Sequence, residues 1–344
     1  MEYITCGESH GKQLMAILEG MPSGLRVNTQ LLNKELACRQ EGYGRGARMN
    51  IEKDSISITA GLIKEITTGA PIGLVIPNKD RTIIDLPQLE CPRPGHADFA
   101  GALKYNQGIR EVLERSSARE TAVRVAVGGV CKQLLKKFAM GITSHVTQIG
   151  KATTKSEMTA EIKKAAAAGD TLGGECELVV KGVPVGLGSY VHYKRKLDAT
   201  IAQALMSIQA VKVVQFGLGT HYTTIPGSCA HDELFYSKQK GYYRKKNHAG
   251  GIEGGMSNGS DIVVRITMKP IATLQKPLPS VNMKTKEGQR ASVERSDVCA
   301  VQSCGVIGEA VIAFEIAKAF LEKFGGDSIT EIERNYKGYL KQIA

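Results

Sequence analysis

The spacing of apolar and polar residues predicts a chain in which strands and helices are mixed. Residues 55–60 alternate between apolar and polar side chains, as a half-buried strand does. Residues 73–77 form a short apolar run that ends at turn-forming residues. Further strands are predicted at 142–149, 211–216 and 261–268. Because we find no linker and no internal repeat, we expect one α+β domain over residues 1–344.

Helical spacing predicts helices between these strands, at 29–41, 106–127, 156–168, 197–210 and 298–324. Polar residues at their starts are candidate N-caps: Asn28 or Thr29 for the first helix, Ser156 for the third and Asp297 for the last. Capping is one explanation for Asp297, and a carboxylate beside a buried cofactor is the other.

Composition argues against several classes of protein. Every apolar run is broken before the ~18 residues that a membrane span needs. The N-terminus lacks the basic-then-apolar pattern of a signal peptide. Eight cysteines are scattered without a C-x-x-C pair, which argues against a zinc ribbon or a disulfide framework. This use of cysteine fits a reducing cytosol, so we expect a cytoplasmic protein without a metal or membrane partner.

The formal net charge of +11 attracts anions but does not identify them. Nucleic-acid-binding proteins usually carry concentrated basic runs, or aromatic side chains between the basic ones. Here the longest basic run is Arg244-Lys245-Lys246, and aromatic residues make up only 5% of the chain. The arginines instead recur in loops rich in glycine and serine, which favours a small anion in a pocket.

Segment 38–54 has the strongest pattern of this kind. Arg39, Arg45 and Arg48 alternate with glycines at 42, 44 and 46. Guanidinium groups match the oxygens of phosphate and carboxylate, and glycine lets the backbone come close to an anion. The segment is therefore either a site for a small, multiply charged anion or a flexible basic loop in water.

Two histidines lie in loops whose composition suits proton transfer. His10 follows Glu8 in the motif G-E-S-H-G, and His96 lies between Arg93 and Asp98, behind two prolines that stiffen the loop. Histidine titrates near neutral pH, so either ring is a candidate acid or base. The alternative for His10 is a purely structural role. The alternative for His96 is a turn or a cap.

Residues 115–122, R-S-S-A-R-E-T-A, collect guanidinium and hydroxyl donors in one short stretch. In a continuous helix Arg115 and Arg119 lie on the same face, because they are four residues apart. The stretch is then either a contact for a phosphate or cofactor or a solvated helix face. Serine is a weak helix former, so the adjacent Ser116 and Ser117 favour the contact.

Three later segments complete the candidate chemistry. The polar stretch 226–249 is predicted to be a mobile loop, such as a lid. The glycine-rich residues 250–259 suit backbone contacts to a flat or phosphorylated ligand, but they lack the pattern of a dinucleotide-binding fold. Residues 269–273 bring a cation and a hydroxyl, which predicts a second phosphate site.

Together these segments resemble the chorismate synthase family over essentially the whole chain. The motifs that carry the resemblance are, in order, G-E-S-H-G at 7–11, R-Q-x-G-Y-G-R-G-x-R-M at 39–49, R-P-G-H-A-D at 93–98, R-S-S-A-R-E-T-A at 115–122, G-G-I-E-G-G-M-S-N-G at 250–259, K-P-I-A-T at 269–273 and R-S-D at 295–297. Each motif alone is weak, but seven in this order are specific.

The resemblance implies a β-α-β sandwich, a homotetramer and the last common step of the shikimate pathway. In that reaction 5-enolpyruvylshikimate-3-phosphate loses phosphate by anti-1,4-elimination and becomes chorismate. The family requires reduced FMN although the reaction has no net redox change. The flavin lends electron density as phosphate leaves and recovers it as a hydrogen leaves C6.

The resemblance also assigns roles to residues. His10 would protonate the reduced flavin, His96 would protonate the departing phosphate, and Asp297 would act through flavin N5 in removing the C6 hydrogen. Substrate anions would be held by Arg45, Arg48, Arg93, Arg119 and Arg295. The flavin site would be lined by Arg115, Ser116, Ser117, Gln209, Ala210, Gly254, Lys269, Pro270, Ile271, Ala272, Thr273 and Arg295. Arg39 and Arg45 match family positions for NADPH, which matter only if the chain reduces its own flavin rather than receiving it from a separate reductase.

Two rival functions stay open beside this resemblance. A flavin-dependent NADPH oxidoreductase would use the same glycine loops but would turn over NADPH. A basic nucleic-acid-binding protein would bind along a long lattice with a steep dependence on salt. The chain also departs from many family members after Asp297, where it reads Val-Cys-Ala-Val-Gln-Ser-Cys, and we expect a packing change in the helix there.

Overall fold

The structure, a computed structural model, describes residues 1–46, 51–81 and 86–343. Its strands are β1 (Glu2–Cys6), β2 (Gln13–Glu19), β3 (Ser57–Ala60), β4 (Leu62–Ile63), β5 (Ile66–Thr67), β6 (Ile72–Pro77), β7 (Gly141–Ile149), β8 (Gly174–Lys181), β9 (Val211–Phe216), β10 (Leu234–Ser237), β11 (Gly241–Arg244), β12 (Ile252–Glu253), β13 (Met256–Ser257), β14 (Ile262–Met268), β15 (Pro279–Val281) and β16 (Gly288–Arg290). Its α-helices are α1 (Thr29–Gln40), α2 (Asp98–Tyr105), α3 (Ile109–Ser116), α4 (Thr121–Lys137), α5 (Lys155–Ala167), α6 (Leu197–Met206), α7 (Gly227–Ala230), α8 (Val301–Phe324) and α9 (Ile329–Ile343).

Two four-stranded antiparallel sheets form the outer layers. The strand order is β1-β2-β6-β3 in the first sheet and β7-β8-β14-β9 in the second. Helix α4 packs on β2 and β6, α8 packs on β7 and β8, and the two helices pack on each other between the sheets. This order of layers confirms the predicted β-α-β sandwich and its α+β class.

The alternation of side chains sets the inner face of each sheet. In β14, Ile262, Val264, Ile266 and Met268 are buried, and the residues between them are half-buried. Residues two apart point to the same face of a strand, so these side chains face the helical layer together. The strands predicted at 73–77, 142–149, 211–216 and 261–268 are confirmed to within one residue at either end as β6, β7, β9 and β14, and residues 57–60 of the predicted 55–60 form β3.

Helices α4 and α8 approach closely because glycine lies at their crossing. A Cβ atom added to Gly128 of α4 would overlap the backbone of Ala310 in α8. Gly305 and Gly308 bring α8 close to the second sheet as well, since their Cβ atoms would lie 2.8 Å from Ser144 Oγ and 2.9 Å from Leu178 Cδ2. These contacts fix the spacing of the three layers.

Substitution Gly128→Ala is therefore expected to destabilise the fold by about 1–3 kcal/mol, because an added methyl group forces the helices apart. Gly338→Ala is the matched control: Gly338 is exposed in helix α9, and an added Cβ would have no atom of the described residues within 4 Å. Helix propensity alone predicts that this control gains up to ~1 kcal/mol. Urea unfolding of both variants measures the difference, and equal stabilities would contradict the close approach.

Several helix boundaries differ from the predicted ones. The helix predicted at 106–127 is interrupted after Ser116, because Ser117 has extended backbone angles (φ −62°, ψ 142°). The side chain of Ser117 then accepts a hydrogen bond from the backbone N–H of Arg119 and starts a 3₁₀ turn at 118–120. Arg115 and Arg119 consequently point to different neighbours, and the prediction that they share one helix face is wrong.

The helix ends also differ in their caps. Thr154, and not Ser156, caps α5, and it forms a capping box with Glu157. Helix α6 ends at Met206 instead of 210. Helix α8 begins at Val301 with Ala300 in the N-cap position, so Asp297 lies before the helix and does not cap it. The N-cap at Asn28 is confirmed.

The polar stretch 226–249 contains regular structure. It holds the short helix α7 and the antiparallel hairpin of β10 and β11. Aromatic rings pair across this hairpin, with the centroids of Tyr236 and Tyr242 5.1 Å apart. The predicted mobility of the stretch stays a prediction. Among the described residues, no helix combines the length and apolar character required to cross a membrane.

Candidate active site

A cavity of about 610 Å³ brings together most of the residues singled out from the sequence. The predicted residues that line it are His10, Arg39, Arg45, Arg93, His96, Ser116, Ser117, Arg119, Gln209, Ala210, Lys269, Ile271, Ala272, Thr273, Arg295 and Asp297. They come from loops and element ends that are far apart in the sequence. The sandwich therefore assembles one site from nearly every predicted motif.

Four predicted residues are not placed in this cavity. Arg115 donates instead to the carbonyl oxygens of Thr5 and Gly7 and lines a second cavity of about 310 Å³, because the chain turns after Ser116. Gly254 lies in the turn between β12 and β13, and Pro270 is absent from the lining although its neighbours are present. Arg48 falls outside the described residues.

Helix α3 holds the ring of His10 through a buried carboxylate. Glu114 accepts hydrogen bonds from the backbone N–H of His10 at 2.7 Å and from its Nδ1 at 2.8 Å. Burial raises the pKa of Glu114, but the bonds from His10 outweigh burial and hold that pKa below its usual range. An ionised Glu114 accepts the hydrogen bond from Nδ1, and Nε2 of His10 lies 4.0 Å from Asp80 Oδ2.

His96 is held in the same way at the start of α2. Its Nδ1 lies 2.5 Å from Oδ1 of Asp98, whose side chain is fully buried. Arg93 donates to both oxygens of Asp98, each at 2.8 Å, and its Nη1 donates to Thr273. Burial raises the pKa of Asp98, but the hydrogen bonds from Arg93 and His96 outweigh it and hold that pKa well below its usual range. Asp98 is thus a fixed negative charge that binds Nδ1 of His96 and orients its ring.

Two arginines meet a buried carboxylate behind the cavity. Nη1 of Arg119 lies 2.7 Å from Asp54 Oδ1, and Nη1 of Arg39 lies 3.6 Å from Asp54 Oδ2. Arg119 also donates twice to the side-chain oxygen of Asn78, at 3.1 and 2.9 Å. Burial lowers the pKa of Arg39 to about 10, and Asp54 opposes this shift. Arg39 therefore stays charged at neutral pH, and its Nη1 is buried without a hydrogen-bond partner among the described residues. Most of the donor capacity of Arg119 is already used by Asp54 and Asn78.

The side chain of Asp297 is bound by Gly46 and Arg45 of the arginine-rich segment 38–54. Its Oδ1 accepts the backbone N–H of Gly46 at 2.6 Å, and its Oδ2 lies 3.5 Å from Nε of Arg45. The backbone N–H of Val298 bonds to the carbonyl of Gly44 at 2.8 Å, which joins the two segments further. A side chain bound in this way is a site residue and not a helix cap.

Unpartnered polar atoms in the cavity wall indicate where a ligand would bind. Among the described residues, Ser116 Oγ and Gln209 Oε1 are buried without a hydrogen-bond partner. The amide nitrogen of Gln209 donates to Glu120 at 3.0 Å, which fixes its oxygen as the free end. Ala210 beside it has a left-handed backbone (φ 68°), which costs energy in a residue other than glycine. A ring system with its own donors and acceptors, such as a flavin, fits these groups.

Comparison with known proteins identifies the family. A family model described as chorismate synthase matches residues 1–321. The chain belongs to the chorismate synthase family. A chorismate synthase from Caldanaerobacter subterraneus subsp. tengcongensis is 53% identical over 100% of this chain and 99% of its own length. One from Geobacter sulfurreducens is 47% identical with the same coverage. A crystal structure of a chorismate synthase superposes with a TM-score of 0.82 at 36% identity, covering 99% of this chain and 98% of that one.

Membership of the chorismate synthase family supports the function of a chorismate synthase, a lyase, and nothing in the comparisons supports the oxidoreductase alternative. The family resemblance drawn from the seven motifs is thereby confirmed. The roles of individual residues stay predictions. Within the described ranges, no cluster of three or more histidine, cysteine or acidic side chains has the arrangement of a metal site.

The carboxylates that bind the histidines and arginines of the cavity were not identified from the sequence. Glu114, Asp54, Glu52 and Asp80 had not been singled out, although each contacts a predicted residue. Glu114 precedes the R-S-S motif directly and lies among buried residues of an amphipathic helix, which is an available signal. For Asp54, Glu52 and Asp80 the signal is weaker: buried guanidinium groups require negative partners, but the sequence does not say which ones.

Proposed function

We propose that the 610 Å³ cavity binds 5-enolpyruvylshikimate-3-phosphate beside reduced FMN and converts the substrate to chorismate and phosphate. The observation that carries the proposal is the pair of histidines at its wall, each bound at Nδ1 by a buried carboxylate. Such pairs hold two imidazole rings in fixed orientations beside a cationic pocket. Positioned acid–base groups and cations are what the removal of a phosphate group from an anionic substrate requires.

His96 acts as the general acid in this proposal. Nδ1 of His96 is bound to Asp98, so Nε2 is the nitrogen that donates a proton to the phosphate oxygen as the carbon–oxygen bond breaks. The contact with Asp98 fixes the orientation of the ring for that transfer. The guanidinium group of Arg93 lies 3.1 Å from the same Nδ1 and places a positive charge beside the departing phosphate.

Asp297 would act in the same reaction as the base that removes the hydrogen from C6, working through N5 of a bound flavin. His96 gives one proton to the phosphate and one hydrogen is lost from C6, so the reaction has no net redox change. The backbone N–H of Gly46 and the guanidinium group of Arg45 bind the carboxylate of Asp297 and fix its position. His10, fixed by Glu114, would supply a proton to a bound reduced flavin.

The substrate anions meet the cations that extend into the cavity. Arg295 has a side chain that is 64% exposed and lies 3.3 Å from Asp80, and Lys269 and Arg45 line the same wall. We propose that these three contact the substrate directly. Arg93 and Arg119 are almost fully buried and pair with Asp98 and Asp54, so they supply positive potential and support. The predicted contact with Arg48 is retained as a proposal.

Reduced FMN is proposed to lie against Ser116, Ser117, Gln209, Ala210 and residues 269–273. The unpartnered Ser116 Oγ and Gln209 Oε1 support this placement. When bound, the flavin supplies reversible electron donation to the breaking bond. The predicted contribution of Gly254 and Arg115 requires either a rearrangement or a neighbouring subunit, because neither residue lines the cavity of this chain.

Gln209→Ala is expected to weaken FMN binding about tenfold, since one hydrogen bond in a buried site is lost. Gln203→Ala is the matched control, because Gln203 is exposed on helix α6 nearby. Titration of FMN, followed by quenching of flavin fluorescence, measures both affinities without any turnover. An affinity of Gln209→Ala equal to that of the control would move the flavin away from this wall.

The wider biological setting follows from the same proposal. We propose a homotetramer located in the cytoplasm that receives reduced FMN from a separate reductase. The buried ion pair of Arg39 with Asp54 supports a structural role for that arginine, and an NADPH contact at Arg39 and Arg45 stays a prediction.

An anaerobic assay tests the proposed function directly. The chain is mixed with 5-enolpyruvylshikimate-3-phosphate and dithionite-reduced FMN, and chorismate and phosphate are followed together. A second reaction contains oxidised FMN and NADPH. Equal release of both products with pre-reduced flavin alone is expected. Product in the second reaction as well would give the chain its own reductase activity, and no product in either would remove the proposal.

A further inference from the structure

Ser303, a buried serine near the start of helix α8, contacts both Arg39 and Arg45 of segment 38–54. Ser303 is 3% exposed and lines the main cavity. Its hydroxyl donates to the backbone carbonyl of Arg39 and accepts a hydrogen bond from Nη1 of Arg45. No motif in the sequence had singled this residue out.

The direction of these bonds follows from the chemistry of the groups. A carbonyl oxygen only accepts and a guanidinium group only donates, so the single hydroxyl proton of Ser303 points to Arg39 and a lone pair faces Arg45. Arg39 lies in the last turn of α1, where helix carbonyls have no partner within the helix. Ser303 therefore ties the end of one helix to the start of another and offers Arg45 an acceptor of fixed direction.

The position of Arg45 matters because its other end faces Asp297. Nε of Arg45 lies 3.5 Å from Asp297 Oδ2, while Nη1 is the atom held by Ser303. Binding of a carboxylate by two donors is the favoured geometry of an arginine–carboxylate pair, and it would require Arg45 to turn further toward Asp297. The bond from Nη1 to the Ser303 hydroxyl opposes that rotation in a side chain that lines the cavity.

We propose that Ser303 is a positioning residue that orients Arg45 for binding the substrate anion. The inference rests on the proposed function, in which Arg45 contacts 5-enolpyruvylshikimate-3-phosphate. Ser303 itself touches neither substrate nor flavin. Ser303 acts through Arg45. Replacing Ser303 should therefore weaken the affinity for substrate, and it should have no such effect in a variant that already lacks Arg45.

A double-mutant cycle on the full chain tests this inference. Ser303→Ala is expected to raise KM for 5-enolpyruvylshikimate-3-phosphate about tenfold and to leave kcat within about twofold, because a binding contact is lost. Added to Arg45→Gln, the same substitution is expected to change KM by less than about twofold. A tenfold effect of Ser303→Ala in both backgrounds would overturn the inference, as would an unchanged KM in the wild-type background.

A matched control separates positioning from loss of stability. Thr67 is also buried, donates to the carbonyl of Pro22 at 2.6 Å and accepts from the N–H of Leu25 at 2.9 Å, away from the cavity. Thr67→Val is expected to lower the melting temperature without changing KM. If it raised KM as Ser303→Ala does, the effect would be one of stability and the inference would fall. Failure of the wild-type chain to form chorismate would instead remove the proposed function itself.

Discussion

Replacement of His96 by alanine is expected to slow chorismate formation by ~10²–10⁴, the usual contribution of a general acid. The proton on the departing phosphate must then come from water. Binding should persist, because the cations of the cavity wall that are proposed to meet the substrate, Arg45, Arg295 and Lys269, are unchanged. The effect therefore belongs in kcat and leaves KM within a few-fold.

Single turnover with dithionite-reduced FMN measures this prediction without interference from product release. His145→Ala is a suitable control, because His145 has a side chain that is 60% exposed and an equivalent carboxylate, Glu177, at 3.5 Å, but it lies on β7 outside the cavity lining. The control should retain the wild-type rate. A His96→Ala enzyme as fast as this control would show that water or another group protonates the phosphate.

The chemistry-bearing motifs could be predicted from the sequence because their residue types are unusual where they stand. Arginine among glycines, and histidine behind two prolines, have few structural explanations. The cavity confirms that these motifs meet, although they come from positions as distant as His10 and Asp297. Strands such as β14 could be predicted too, since period-two alternation is visible without knowledge of any contact. The order of the layers came from the family resemblance and not from this alternation.

The interruption at Ser117 could not be predicted from apolar spacing. Residues on both sides of it continue a helical pattern, because α3 and α4 each bury an apolar face. The break arises from a local competition in which the Ser117 hydroxyl binds the N–H of Arg119. Its consequence is functional: Ser116 and Arg119 reach the cavity while Arg115 turns toward Thr5.

The carboxylates that pair with the arginines were the other feature that could not be predicted from the sequence. The arginines were predicted to hold the anions of a ligand, whereas Arg93 and Arg119 are each bound by a buried carboxylate of the chain itself. An acidic residue such as Asp54 has no periodicity that marks it as buried, and only the folded chain shows which carboxylate a guanidinium group meets. The net positive charge on the cavity wall is consequently smaller than the arginine count implies.

Asp54→Asn is expected to destabilise the fold by about 3–5 kcal/mol, because it leaves buried charges without their counter-ion. Asp54 has a fully buried side chain between Arg119 and Arg39. An asparagine keeps the shape but removes the charge that both guanidinium groups share. Glu52, 3.7 Å from Arg119, offsets only part of this loss, because its carboxylate already accepts the backbone N–H groups of Lys79 and Asp80.

Urea unfolding measures this loss, with Asp198→Asn as the matched control. Asp198 pairs with Lys196 at 3.7 Å on the surface, where both side chains are partly exposed, so the control should stay within about 0.5 kcal/mol of the wild type. If Asp54→Asn were as stable as the control, the arginines would not depend on Asp54.

The same variant separates a structural from a ligand-binding role for Arg39 and Arg119. With Asp54 neutral, both guanidinium groups have unused capacity to bind an anion, and the cavity that they line gives access to it. Inorganic phosphate should therefore raise the melting temperature of Asp54→Asn more than that of the wild type. An equal shift in both proteins would mean that these arginines already bind anions with Asp54 in place, as the substrate-binding prediction for Arg119 requires.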